Sequence, residues 1–252
     1  MRMPFCFLVV WSVFACGLCA EDSRPTVAII VSDDHYHADT LLPEWGEKLA
    51  REHHVNLLVI HGHGSGNFEN MEKLNDADIA LLFVRRLALP KTQMAAFRTF
   101  LESGKPLLAF RTASHAFQLS FDGKKEAPDG WEQWKTFDAD VLGGNYHNHG
   151  PNDVPTRVVT LPAAKENPIF QGISLEPWNS TGSLYFTSPV DAKAVVFQIG
   201  SIPGHAPEPL TWLRTSPWGG KVLYTGLGHW DDFRDERFTK MVTNAIFYLM
   251  EK

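Results

Sequence analysis

The sequence has little cysteine, and its three, Cys6, Cys16 and Cys19, all fall within the first twenty residues. Those residues read as a cleavable leader. A basic start at Met1-Arg2-Met3 precedes an apolar run from Phe5 to about Ala15 and a small-residue exit from Gly17 to Ala20. Cleavage near Ala20 would leave residues 21–252 without cysteine, and so without a disulfide, a thiolate metal site or a cysteine nucleophile. Val13-Phe14-Ala15-Cys16 also loosely follows a lipobox, which gives a lipid anchor at Cys16 as the second reading. Either reading places the expected product outside the cytoplasm, secreted or periplasmic.

After the leader no apolar run is long enough to cross a bilayer, so no membrane span is expected. A basic run is also missing. The formal net charge is −6 and becomes −7 once Arg2 leaves with the leader, which argues against nucleic acid as a partner. No repeat, low-complexity stretch or long linker divides the chain, so residues 21–252 are expected to form one domain. All eleven histidines and seven of the eight tryptophans lie in that domain, a composition suited to a polar small-molecule site.

What recurs is an apolar run followed by a helix-period segment. The runs Thr26–Val31, Val55–Ile60, Ile79–Val84 and Pro106–Phe110 read as strands. Thr40 is placed to cap a helix through Trp45, Leu49 and Ala50. Pro90 opens a second helix, with Met94, Phe97, Phe100 and Leu101 on one face and Gly104 closing it. Strands that are apolar throughout, with amphipathic helices between them, imply an α/β fold whose mostly parallel sheet is covered on both faces. From about Phe121 to Pro189 the periodicity weakens, and long loops and short strands beside the sheet are expected, with one strand near Arg157–Leu161. Three more strands, at Ala194–Gln198, Leu210–Leu213 and Val222–Tyr224, precede a final helix from about Glu236 to Met250.

In such a sheet, ligands bind beyond the carboxyl ends of the strands. Those ends deliver Asp33-Asp34-His35-Tyr36-His37, Arg85-Arg86, Arg111-Thr112-Ala113-Ser114-His115 and Gly228-His229-Trp230-Asp231-Asp232. The edge could bind anions, polyols or a metal. Asp33-Asp34 could equally hold turn backbone, and His53-His54 fits a helix end, where imidazole satisfies carbonyls. His61 and His63, in a glycine-rich loop, stay open between the two kinds of role.

The pairing of Thr112–His115 with His229–Asp231 is similar to a glutaminase of the class I glutamine amidotransferase type. There a C-x-G-H turn carries the nucleophile and an H-x-E pair follows the last strand. Aligning the histidines puts Thr112 at the nucleophile position. Threonine lacks the reactivity of a thiolate without strong activation, so the constellation reads as a glutaminase site put to other use.

Further segments carry a wider resemblance: Pro209-Leu210-Thr211-Trp212, then Gly219–His229, Asn167-Pro168-Ile169 with Gly172-Ile173, Gly182–Tyr185, and Gly143-Gly144-Asn145-Tyr146-His147. In this order and spacing the chain resembles the ThuA-like (trehalose utilisation) family from about Val27 to Leu249. It departs at Asn167, where relatives carry histidine, and at Ser183, where they carry an acidic residue. The resemblance implies a flavodoxin-like, amidotransferase-type domain and a small carbohydrate as partner, a glycoside or a 3-keto sugar.

On that reading His229, held by Asp231 or Asp232, works as acid or base with His115 or Asp33 as the second group. Arg85, Arg111, Thr112, Asn145, Tyr185 and Trp230 would bind the sugar. A divalent metal is the candidate cofactor, held by His35 with His37 and His147 with His149, since alternate residues of an extended segment point the same way. The alternative is a carbohydrate-binding protein without catalysis.

Overall fold

The computed structural model describes residues 24–251; the leader at 1–20 lies outside them. Strands β1 (Thr26–Ser32), β2 (Asn56–His61), β3 (Ile79–Val84) and β4 (Leu107–Phe110) form where the apolar runs lie. Then come β5 (Thr156–Thr160), β6 (Trp178–Ser180), β7 (Val195–Ser201), β8 (Glu208–Thr215) and β9 (Lys221–Thr225). Together they make one nine-stranded sheet in the order β2-β1-β3-β4-β9-β8-β7-β5-β6.

Strands β2, β1, β3, β4 and β9 run parallel, and the other four are added antiparallel. The change of direction follows from connection length. Only five residues join β8 to β9, through a turn at Ser216–Gly220, and a parallel crossover needs a dozen or more.

The helices are α1 (Ala38–His53), α2 (Lys91–Glu102) and α3 (Glu236–Met250). Alternate residues of the strands feed two cores. Val27, Ile29, Val31, Leu81, Phe83, Phe110 and Leu223 face α1 and α3. Ala28, Ile30, Leu82, Ala109, Val222 and Tyr224 face α2, through Met94, Phe97, Phe100 and Leu101. Burial on both faces is why these strands are apolar at every position.

Helix α1 starts before Thr40. Its N-cap is His37, in a left-handed conformation with φ 54°, reached through a turn in which the Asp33 carboxylate accepts from the His35 amide at 2.9 Å. Pro43 sits inside the helix and cannot donate to the Asp39 carbonyl four residues earlier. His61 Nε2 supplies that hydrogen bond at 2.9 Å, while its Nδ1 accepts from the His63 amide at 2.9 Å. This settles His61 as the neutral Nε2–H tautomer in a structural role. His54 is the C-cap of α1, as its place at a helix end suggested.

Candidate active site

The carboxyl ends of β1, β3 and β4 open into a cleft of about 420 Å³. Its floor and one wall come from His35, Tyr36, Arg85, Arg86 and His115. Phe121, Tyr146, Asn148, His149, Asn152 and Tyr185, all from the weakly periodic middle of the chain, supply the other wall. A larger cavity of about 720 Å³ lies at the opposite end of the sheet, around Lys105, Pro106 and Lys221, away from these side chains.

Under the cleft is Arg111. It leaves β4 with φ 41° and opens the 3₁₀ turn Arg111–His115. Its guanidinium is fully buried between two aromatic faces, 4.5 Å from the ring centres of Tyr36 and Tyr185. Nη1 donates to the Gly226 carbonyl at 2.8 Å, and Nη2 donates to the Ser183 carbonyl and hydroxyl, both at 3.1 Å, and to the Tyr36 hydroxyl at 3.3 Å. Nε has no partner among the described residues. A Cβ on Gly182 would meet Nη1 at 2.9 Å, so glycine at that position makes room for the guanidinium. Burying this charge without a carboxylate in contact is costly unless such hydrogen bonds and ring faces offset it.

Thr112 follows, with no solvent exposure, and its hydroxyl donates to Asp33 Oδ2 at 2.7 Å. Asp33 is also buried, and that burial raises its carboxyl pKa above the usual carboxylate value. Both stand beneath the cleft rather than on its wall.

His115 does line it, stacked on Tyr146 with ring centres 4.4 Å apart, its Nδ1 3.1 Å from the Ser114 hydroxyl. The Ser114 hydroxyl is also 3.1 Å from the Arg111 carbonyl, to which it donates. His115 Nδ1–H then donates to the serine oxygen, which leaves the Nε2 lone pair free. Burial, followed by the charges of Arg86, Arg85 and Arg111, holds this imidazole well below its ordinary pKa, so it is unprotonated at neutral pH.

His229 stands across Tyr36 from Arg111, with its ring 5.8 Å from that of Tyr36. The turn delivering it is fixed by Asp232 Oδ2, which accepts from the Gly228 and His229 amides at 2.8 and 3.0 Å. Asp231 does not touch the ring directly, for its Oδ2 is 3.8 Å from Nδ1. Thr181 links them: its hydroxyl oxygen is 2.7 Å from His229 Nδ1 and donates to Asp231 Oδ2 at 3.1 Å. In that chain Nδ1–H is the donor to threonine. Burial, then the charge of Arg111, brings the His229 pKa down to about 4.

Of the residues singled out from sequence, His35, Arg85, His115, His149 and Tyr185 meet on the cleft, and Asp33, Arg111 and Thr112 support it from beneath. His229, Asp231 and Trp230 form a neighbouring group, with the Trp230 ring centre 3.7 Å from that of His229 and 5.5 Å from that of His37, both pairs tilted. Asn145 donates to the Ser188 carbonyl at 2.9 Å and is not on the cleft wall.

The two H-x-H pairs are split. His35 and His149 face the cleft, while His37 packs by Trp230 and His147 by Phe186. Among the described residues no three His, Cys, Asp or Glu side chains come together as a metal-binding group.

A family model described as trehalose utilisation, ThuA, matches residues 27–249. The chain belongs to the ThuA family. Solved structures share its fold. A ThuA-like protein from Bacteroides uniformis superposes with a TM-score of 0.65 at 16% identity, over 91% of this chain and 93% of that one. A ThuA-like protein from Parabacteroides merdae gives 0.60 at 10% identity, over 90% of each. Curated proteins yield no match.

In this ThuA-family chain, sequence reasoning missed Tyr36, Tyr146, Phe121 and Thr181. Tyr36 was visible in the strand-end segment but hidden between two histidines. Tyr146 comes from a loop next to a distant pairing, His149 against Tyr185 and Asn148 against Phe186, and Phe121 from a separate loop where the Leu119 amide donates to the Gln133 side chain. Chemically the arrangement offers an unprotonated imidazole, cationic guanidiniums and phenol hydroxyls around one polar space. Among the described residues no Ser, Thr or Cys side chain lines it, and Asp33 and Asp231 do not face each other across it.

Proposed function

We propose that the chain is an exported, carbohydrate-active member of the ThuA family that acts on glycosides or 3-keto sugar derivatives by acid–base chemistry in this cleft. The observation that carries the reading is His115: a neutral imidazole with a free Nε2, set among guanidinium and hydroxyl donors at the carboxyl ends of the strands.

Such a base can take the proton from a carbon beside a keto group. The C–H electron pair moves onto the keto oxygen, and the resulting enolate charge is stabilised by nearby cations. Arg85 and Arg86 are on the wall for that purpose, with the fixed charge of Arg111 beneath. The enolate then re-forms the keto group and forms a C=C bond as the substituent on the β carbon leaves with the C–O electron pair, an elimination. Addition of water across that C=C bond is the hydration, and the two together exchange the substituent for hydroxyl. His229, steadied through Thr181 by Asp231, is the second acid–base group. Export rests on the leader at residues 1–20.

The second reading, sugar binding without turnover, draws on one observation: His229 and Asp231 stand beside the cleft and do not line it. Mass-spectrometric turnover by residues 21–252 separates the two. The panel contains disaccharides and their 3-keto forms, with His115→Ala and His229→Ala as controls. Conversion lost in His115→Ala supports the enzyme. Saturable binding with no conversion of any compound replaces it with the binding protein.

A further inference from the structure

The cleft wall carries hydrogen-bond donors and aromatic rings, and no carboxylate. Among the described residues the arginine ion pairs are those of Arg51, Arg98, Arg214, Arg234 and Arg237. Arg85, Arg86 and Arg111 have none, and these three converge on one sheet edge. Arg86 Nη1 is buried without a hydrogen-bond partner, and so is Arg111 Nε. A guanidinium nitrogen shut off from water and unpaired costs free energy, and of these two arginines it is Arg86 that lines the cleft.

Backbone strain points the same way. Arg86 has φ 51° and Arg111 φ 41°, left-handed conformations that non-glycine residues seldom adopt. Each is a strained conformation that persists where the surrounding structure fixes it. Here the Arg86 amide donates to the His115 carbonyl at 3.2 Å and the Leu87 amide to the Ala116 carbonyl at 2.7 Å, which aims Arg86 at the cleft. Asp33 is the carboxyl whose charge reaches Arg85, but it is buried and its oxygens are bonded to Thr112 and the His35 amide.

At the rim, Phe121 is 60% exposed, an unusual state for so large an apolar side chain, and it lies 5.7 Å from the Arg86 guanidinium. With one face under the Arg86 guanidinium, its exposed surface can still pack on the C–H surface of a sugar ring while Arg86 holds a charged group of that sugar.

We infer that the cleft is selective for an anionic sugar, with Arg85 and Arg86 binding a carboxylate or phosphate and Phe121 carrying the ring. Guanidinium is suited to both anions because its planar donors match two oxygens at once. The inference rests on the proposed carbohydrate site and narrows its substrate class.

The test is calorimetric titration of residues 21–252 with glucuronate, glucose 6-phosphate, glucose and inorganic phosphate at low and high salt. Circular dichroism would confirm that Arg86→Gln and the solvent-exposed Arg85→Gln are folded. At least one charged sugar should bind about tenfold or more tighter than glucose, a difference of about 1.4 kcal/mol. The preference should weaken with salt and be lost in one or both variants. The glucuronate and phosphate arms distinguish the two anions. Equal affinity for charged and neutral sugars overturns the anion site and leaves the carbohydrate reading standing. Binding of no sugar overturns both.

Discussion

Replacing Thr112 by valine keeps the shape of a buried side chain and removes one hydroxyl. That hydroxyl donates at 2.7 Å to Asp33, whose side chain is otherwise bonded to the His35 amide. Both residues are buried, so water cannot take the place of the lost donor. A hydrogen bond to a charged acceptor is worth about 1.5–3 kcal/mol, and valine leaves no cavity to add to that. For a domain of this length each kcal/mol lowers Tm by about 2–4 °C, so a drop of about 3–12 °C is expected near pH 8.

The sign of the pH dependence follows from Asp33 itself. Burial already raises its pKa, and the Thr112 hydroxyl is the strongest of the effects opposing that rise. Without it the folded-state pKa climbs further. A carboxyl with a raised folded pKa loses stability as pH rises through that value. The deficit of Thr112→Val should therefore be smaller at pH 5 than at pH 8, and in an Asp33→Asn background this pH dependence should vanish. Urea unfolding at several pH values measures it. A loss below about 0.5 kcal/mol, or one independent of pH in both backgrounds, would refute the reasoning.

Asp138 and Thr181 give two further tests. The Asp138 carboxyl is buried with Oδ1 unpartnered, its Oδ2 accepts from the Tyr146 amide, and burial lifts its pKa to about 7. Its contribution is full below the ordinary value of 3.8 and is lost as pH rises towards 7, by at most about 4 kcal/mol. Asp138→Asn should therefore gain on the parent between pH 4 and pH 8 in urea unfolding, and a constant difference contradicts this. Thr181→Val should cost under about 1 kcal/mol, because Thr181 is exposed. It should nevertheless redistribute the His229 tautomers away from Nδ1–H, as read from nitrogen-15 shifts. Unchanged tautomers would remove Thr181 as the link to Asp231.

The parallel half of the sheet was legible because its runs are buried on both faces and so carry apolar residues at every position. Helix α3 was legible at both ends because its apolar stripe is uninterrupted and Asp235 caps it by accepting from the Arg237 amide. The start of α1 was not, since His37 reaches the N-cap through a left-handed turn and bonds no amide with its side chain. Three of the four antiparallel strands were legible as strands but not in direction, which at β8–β9 a short turn decides; the fourth, Trp178–Ser180, is too short to show a period. At the site, the strand-end rule found His115, Arg85 and Tyr185's partner Arg111. It could not find Tyr146 or Phe121, whose positions depend on contacts far along the chain. The H-x-H reading assumed continuous extended segments. His35 and His37 instead lie in a turn, and only His149 of the second pair is in the short strand Asn148–His149.

The central claim is that His115 abstracts a proton in this cleft, and deuterium exchange tests it most directly. A 3-keto disaccharide would be incubated in D₂O with residues 21–252 or with His115→Ala, and proton NMR would follow the hydrogens on the carbons beside the keto group. One such signal should be lost faster than without protein, and the rate should return to background in His115→Ala. Exchange at the same rate with the parent protein, the variant and buffer alone would contradict it.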